Sequence, residues 1–183
     1  MNYKEYKNSR DLVWRVILNE GVSELPVDVV SLCRSMGIDV KWYQPLDGNS
    51  GITVVIDGKP TIFVARHELR QRQRFTIAHE LGHILLGHIG RHTLVNREPS
   101  VKDNPVEQSA NVFASRLLAP ACVLWACGAY SAEDIMHICD ISKTAAEYRA
   151  KRMTVLRQRG KFLIHPLERE VYKQFSNYIH NRL

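Results

Sequence analysis

Two histidines and a glutamate stand together at His79, Glu80 and His83, and their types and spacing suit metal-assisted hydrolysis. An α-helix turns by about 100° per residue, so residues 79 and 83 lie only about 40° apart around its axis. Both imidazoles therefore leave the same face and can hold one zinc ion. Glu80 lies one step around the helix, where its carboxylate can take a proton from water. The spacing indicates the core of a zinc peptidase site.

The three residues need a helix to position them, and the surrounding sequence predicts one. Apolar residues recur around the motif, and Gly87 with Gly90 marks a plausible helix end. A buried histidine pair can also be satisfied by hydrogen bonds in a protein core, but this spacing favours a metal site. The apolar neighbours are Phe75, Ile77, Ala78, Leu81, Leu85 and Leu86.

A catalytic zinc ion takes three protein ligands and leaves a fourth position for water, so a third ligand is expected downstream. Glu107 lies on a second predicted helix, residues 106–118, whose stripe of small residues permits close approach to the first. On spacing alone Glu107 is also an ordinary acidic residue of a first helical turn. Glu98 and Asp103 remain alternative ligands.

Three other polar residues near these helices have weaker or supporting roles. On a continuous helix, His88 would point about 140° away from His83, which favours a helix-end or pocket-rim position. His92 falls in a predicted loop. Asn111 follows Glu107 by one helical turn, so we expect its amide to hydrogen-bond a zinc ligand and fix that ligand's orientation.

Two longer segments carry a family resemblance. They are FTIAHELGHILLGH at residues 75–88 and EQSANVFA at residues 107–114. Together they closely resemble the ImmA/IrrE metallopeptidases, and the similarity runs from about Ile52 to Leu118 with a weaker continuation to Arg152. No residue of the paired motifs departs from the family pattern.

The resemblance implies a site and a function. It implies that His79, His83 and Glu107 bind zinc, with manganese as the alternative metal, and that Glu80 is the catalytic acid and base. Members of this family cleave helix-turn-helix repressors of mobile elements or stress responses. The implied activity is a zinc-dependent endopeptidase, the implied substrate is a protein, and the implied partner is a repressor. The alternative is a zinc-containing regulator that binds DNA or a repressor without cleaving protein.

The expected fold class is α+β. We expect a mostly helical, zincin-like metallopeptidase domain over residues 1–120 and a helical C-terminal region over residues 121–183, packed on the same core. Helices are predicted at residues 9–19 and 27–36. Strands are predicted at residues 38–43, 52–56 and 61–65, forming a small sheet beside the zinc helix. The hairpin of residues 52–65 is a candidate edge for pairing with an extended peptide, and a purely structural sheet is the other interpretation.

Length and composition agree with a small globular enzyme. The chain has 183 residues, of which 45% are hydrophobic, enough for one substantial core. No run of 18 apolar residues is present, and the N-terminus lacks the apolar stretch of a signal peptide, so we expect a cytoplasmic protein without a membrane segment. The four cysteines form no paired CxxC motif and are expected to be buried thiols. The oligomeric state is left open.

The net charge of +6 is concentrated near the C-terminal end of the chain. Residues 131–152 have the pattern of a helix-turn-helix, whose second helix could enter a DNA major groove. Asp140 stands where such a turn prefers glycine, and Met136 stands where a small residue is expected at the helix crossing. DNA binding is therefore less favoured than a solvated or substrate-docking basic face.

Overall fold

The computed structural model describes residues 3–45, 48–89 and 104–182, which form nine helices and three strands. The mostly helical α+β class is confirmed. The elements are α1 (Tyr3–Asn19), α2 (Val29–Ser35), β1 (Asp39–Tyr43), β2 (Gly51–Ile56), β3 (Lys59–Ala65), α3 (Arg70–Leu85), α4 (Pro105–Leu118), α5 (Ala121–Ala126), α6 (Ala132–Cys139), α7 (Lys143–Gln158), α8 (Pro166–Gln174) and α9 (Ser176–His180).

The three strands form one sheet in the order β1-β3-β2. β2 and β3 pair as an antiparallel hairpin, and β1 runs parallel to β3. Asp57 and Gly58 link the hairpin with φ angles of 49° and 76°, and two left-handed residues are what a type I′ turn requires. The predicted hairpin is confirmed, and β2 lies at one edge of the sheet.

The described residues divide into two compact units. The first unit contains the described residues up to Ser9 and the described residues from Asp28 to Ala114. It includes the sheet, α2 and α3. Helix α3 packs against β2 and β3. The core of this first unit contains small and branched side chains of the sheet and α3, namely Ile62, Val64, Ala65, Ile77, Ala78 and Leu81.

The second unit contains residues from Arg10 to Val27 and from Ser115 onward. Helix α6 packs against α7, and α5 packs against α8. The fully buried side chains of this unit include Ile17, Leu124, Ile135, Met153 and Phe175. The predicted domain boundary at residue 120 stays a prediction.

One stretch, Pro105–Ala126, is long and apolar enough to cross a membrane by length and composition alone. However, 61% of its apolar window is buried inside the protein, as in the core helices of globular proteins. The chain also leaves the helical conformation between α4 and α5, at Ala119 and Pro120. The stretch is therefore weak support for a membrane segment.

Candidate metal centre

Helix α3 brings His79 and His83 together, as their spacing predicts. Both side chains are buried, with exposed fractions of 2% and 0%. Their Nε2 atoms lie 2.8 Å apart. One helix therefore presents two imidazole nitrogens to the same point.

Helix α4 supplies the third group. The two carboxylate oxygens of Glu107 lie 3.3 Å from Nε2 of His79 and 3.2 Å from Nε2 of His83. Gly82 allows α4 to come this close to α3, because a Cβ atom at residue 82 would lie 3.1 to 3.2 Å from Phe113. The small residue inside the HExxH segment thus permits the approach that brings the carboxylate to the histidines.

The donor set suits a transition-metal ion such as zinc. One ligand atom from each of His79, His83 and Glu107 lies within 4.8 Å of the others. Zinc–ligand distances of about 2.0–2.2 Å in tetrahedral geometry put neighbouring donor atoms roughly 3.3–3.6 Å apart, close to the carboxylate–imidazole distances found here. The adjacent imidazoles of His79 and then His83 hold the pKa of Glu107 well below its usual range, so it is ionised. Lone pairs this close repel one another unless a proton or cation lies between them, so the residues fit a metal ion.

Asn111 orients His79, as the sequence predicts. The side-chain oxygen of Asn111 lies 2.8 Å from Nδ1 of His79. An amide oxygen can only accept a hydrogen bond, so Nδ1 is the donor. In the neutral imidazole this leaves Nε2 with its lone pair toward the metal position. The expected supporting hydrogen bond is confirmed.

His88 supports His83 in a comparable way, from the helix-end position that the sequence predicts. Helix α3 ends at Leu85, and Gly87 turns the chain back with φ 73°. The amide of His88 then donates to the carbonyl oxygen of His83, and the two Nδ1 atoms lie 3.1 Å apart. Burial and then the neighbouring charge of His83 lower the pKa of His88, which keeps it neutral near pH 7. The separation of about 140° expected on a continuous helix does not apply, because the chain reverses at Gly87.

Glu80 faces the sheet and lies beside β2. It is 2% exposed, and its Oε2 atom accepts a hydrogen bond of 2.8 Å from the hydroxyl of Thr53. Sequence reasoning missed Thr53, because threonine is common in strands. A usable signal was present, since Thr53 is the one hydroxyl residue in the otherwise apolar run Ile52 to Ile56.

The other candidate ligands, Glu98 and Asp103, lie outside the described residues, as does His92. Among the residues that the structure describes, His79, His83 and Glu107 are the group that meets the geometry of a metal site. Their roles as ligands, and that of Glu80 as the catalytic group, stay predictions.

Comparison with known families agrees with this geometry. A sequence model of the peptidase family described as the IrrE N-terminal-like domain matches residues 33–156, more than half of the chain. A search of curated proteins gives no match. The matched span contains the HExxH segment on α3 and the carboxylate on α4. The chain belongs to the family of the IrrE N-terminal-like domain, a metallopeptidase family.

Proposed function

We propose that this protein is a zinc-dependent endopeptidase that cleaves a specific regulatory protein, a helix-turn-helix repressor of a mobile element or a stress response. The observation that carries the proposal is the convergence of His79, His83 and Glu107 beside a buried Glu80, within a domain of a peptidase family. The repressor substrate rests on the ImmA/IrrE resemblance. A cytoplasmic location agrees with such a substrate and is part of the proposal.

His79, His83 and Glu107 hold the metal in this proposal, with zinc as the expected ion and manganese as the alternative. Bound zinc would lower the pKa of water to about 7 and polarise the scissile carbonyl group. Glu80 takes a proton from the attacking water, whose oxygen adds to the carbonyl carbon. Glu80 then gives that proton to the amide nitrogen as the carbon–nitrogen bond breaks. Water is thus divided between a new carboxyl group and a new amine.

The edge of β2 is the proposed place for the substrate backbone. An extended peptide can add to an exposed sheet edge through main-chain hydrogen bonds. β2 pairs only with β3 in the described sheet, and Val55 and Ile56 near its end are each 41% exposed. Because Thr53 on the same strand contacts Glu80, a peptide at this edge would lie near the reacting carboxylate.

The proposal is tested with purified candidate repressor, chosen first from a gene beside this one. The repressor is incubated with zinc-loaded wild type, with Glu80→Gln and with chelator-treated wild type, and products are identified by gel and intact mass. We expect one defined cut by zinc-loaded wild type alone. Glu80→Gln should bind zinc like wild type and lose cleavage by at least 100-fold, because proton transfer is removed.

The metal ligands are tested separately, by zinc content after gel filtration. Glu107→Ala and His79→Ala should lose zinc, because each leaves only two protein ligands. Full zinc occupancy in Glu107→Ala would remove that residue as a ligand. Zinc-loaded wild type that cuts neither this repressor nor others would favour the regulator without proteolytic activity.

DNA binding is a second candidate function, favoured by the geometry of α6 and α7. Asp140 adopts the left-handed conformation with φ 49°, which aspartate tolerates better than most residues, so the turn forms without glycine. Ser142 caps α7 by accepting from the amide of Ala145. Met136 is 38% exposed, so it does not occupy a buried helix crossing. Both sequence-based objections to the motif are thereby weakened.

The exposed face of α7 is less basic than its sequence suggests. Arg149 is 5% exposed and donates to the carbonyl oxygen of Ala119. Arg157 stays exposed, and its guanidinium group stacks on Tyr130 at 3.9 Å. Lys143, Lys151 and Arg157 remain exposed, together with Tyr148 at 74% exposure. The burial of Arg149 leaves one cation fewer to contact DNA phosphates. Proteolysis therefore remains the favoured function.

A salt titration decides this second candidate. Binding to a labelled 20-base-pair duplex of mixed sequence is measured by anisotropy at several salt concentrations. A Lys143→Glu/Lys151→Glu variant should flatten the dependence of log affinity on log salt by about 2, since each phosphate contact contributes roughly 0.9. Lys41→Glu/Lys59→Glu, on β1 and at the start of β3, is the charge-matched control. An unchanged slope would reject α7 as the DNA-binding element.

A further inference from the structure

We propose that Thr53 is a positioning residue for Glu80, holding the catalytic carboxylate in the orientation that proton transfer needs. The inference rests on the proposed peptidase function. Its direct support is the hydrogen bond of 2.8 Å from Oγ1 of Thr53 to Oε2 of Glu80. Thr53 is 0% exposed and Glu80 is 2% exposed, so the contact is shielded from water.

Burial makes this hydrogen bond important for the carboxylate. A buried charged group destabilises the fold unless hydrogen bonds replace its lost hydration. Removing a hydrogen bond to a buried charged group is also more damaging than removing one at the surface. The hydroxyl therefore has a specific role that a valine of similar shape at residue 53 would not fulfil.

The position of Thr53 is fixed by a second contact between the same two elements. Gly51 and Thr53 are two residues apart on β2 and so face the same side of the sheet. Thr76 and Glu80 are four residues apart on α3 and so share one helix face. A Cβ atom at residue 51 would collide with the side chain of Thr76, which shows how closely β2 approaches α3 there. The close packing of Gly51 against Thr76 sets the register of β2 on α3, and this register brings Thr53 to Glu80.

A hydroxyl also suits a carboxylate that gains and loses a proton. Threonine can donate a hydrogen bond to ionised Glu80 and can rotate to accept one from protonated Glu80. A lysine or a backbone amide can only donate through its N–H, so it could not accept from the O–H of protonated Glu80. Thr53 can thus keep Glu80 in place before and after the proton moves from water, and until it passes to the leaving amine.

Orientation has a measurable effect on catalysis. A glutamate side chain that samples several rotamers spends less time in the geometry that reaches the water, so fixing it lowers the barrier to reaction. Because the buried side chain of Thr53 contacts Glu80 and is shielded from solvent, its loss should reduce kcat and leave substrate binding and zinc binding largely unchanged. This pattern separates positioning from a general effect on folding.

The first test uses zinc-loaded protein and the cleaved repressor. Thr53→Val removes the hydroxyl at nearly constant shape, and Thr53→Ser keeps the hydroxyl. We expect Thr53→Val to lower kcat by 10- to 100-fold, with KM and zinc affinity within about threefold of wild type. Thr53→Ser should restore most of kcat. Wild-type kcat in Thr53→Val, or an equal loss in Thr53→Ser, would overturn the proposal.

The second test needs neither zinc nor substrate. Urea unfolding is measured for zinc-free wild type, Thr53→Val, Glu80→Leu and the double variant. If the two side chains hold each other, their effects on the unfolding equilibrium constant should deviate from additivity by about tenfold or more. Additive effects would show that Thr53 and Glu80 do not stabilise each other, which would overturn the proposal. If wild type cleaves no repressor, the peptidase proposal fails, while this cycle still decides whether Thr53 holds Glu80.

Discussion

At the scale of single residues, the two histidines of the metal centre are held by different partners. His79 donates to the side-chain oxygen of Asn111, whereas His83 lies beside His88. An amide oxygen specifies one tautomer of its imidazole partner, because it can only accept. A second imidazole can act as either donor or acceptor. Asn111 therefore fixes the tautomer of its histidine partner, whereas His88 does not.

Replacing Asn111 should weaken metal binding without removing a ligand. We expect Asn111→Ala to lower zinc affinity by about 10- to 100-fold, because His79 loses the partner that fixes its ring and tautomer. The affinity is measured by competition with a chromophoric chelator. Ser115→Ala, one turn further along α4, is the control and should bind zinc like wild type. Equal affinities for both variants would show that Asn111 does not support the site.

The sequence predicted the residues of the site unevenly, for physical reasons. His79 and His83 follow from helix geometry, which relates residues four apart wherever the helix lies. Glu107 comes from another helix, and no spacing rule fixes when a separate element returns to the site. Thr53 depends on the register of β2 against α3, which only packing sets. The helix-end position of His88 was predictable, but its contact with His83 depends on the reversal of the chain at Gly87.

At the scale of elements, the close approach of β2 to α3 depends on glycine at residue 51, which has no side chain. Gly51 lies where any Cβ atom would collide with Thr76, and the carbonyl oxygen of Phe63 is only 3.1 Å from the same position. The φ angle of Gly51 is not in the left-handed region, so its role is space rather than backbone freedom. Gly58 differs, with φ 76° and open space around it.

Substituting Gly51 should separate the strand from the helix. We expect Gly51→Ala to lower the free energy of unfolding by about 1–3 kcal/mol through overpacking. Adding Thr76→Ala should recover part of that loss by making room for the new methyl group. Urea denaturation of the zinc-free proteins measures both effects. Absence of any recovery in the double variant would mean that contact with Thr76 does not cause the destabilisation.

At the scale of the whole molecule, two buried thiols report on its two compact units. Cys33 lies in the first unit and Cys122 in the second, and both are buried. Burial raises the pKa of each thiol from 9.0 to about 12. Each folded thiol is therefore protonated and shielded near pH 8, and it becomes reactive when its surroundings open and its pKa falls back.

Zinc should protect Cys33 from alkylation. Ligand present at 100 times its dissociation constant lowers the population of open protein by about 100-fold, and the metal centre lies in the same unit as Cys33. We expect iodoacetamide labelling of Cys33 at pH 8 to slow by a similar factor, as followed by peptide mass spectrometry. Glu107→Ala should show no protection. Labelling of Cys122 in the same samples shows whether the second unit opens with the first.

The origin of Glu107 on a separate helix makes the interval between α3 and α4 a variable that evolution or design can change. The four-residue step from His79 to His83 tolerates no insertion, because one added residue would rotate the second imidazole off the shared face. Helix geometry sets no such rule for the number of residues between His83 and Glu107, because the two residues lie on different helices. An insertion between the two helices that leaves both intact should therefore harm metal binding less than an insertion between His79 and His83.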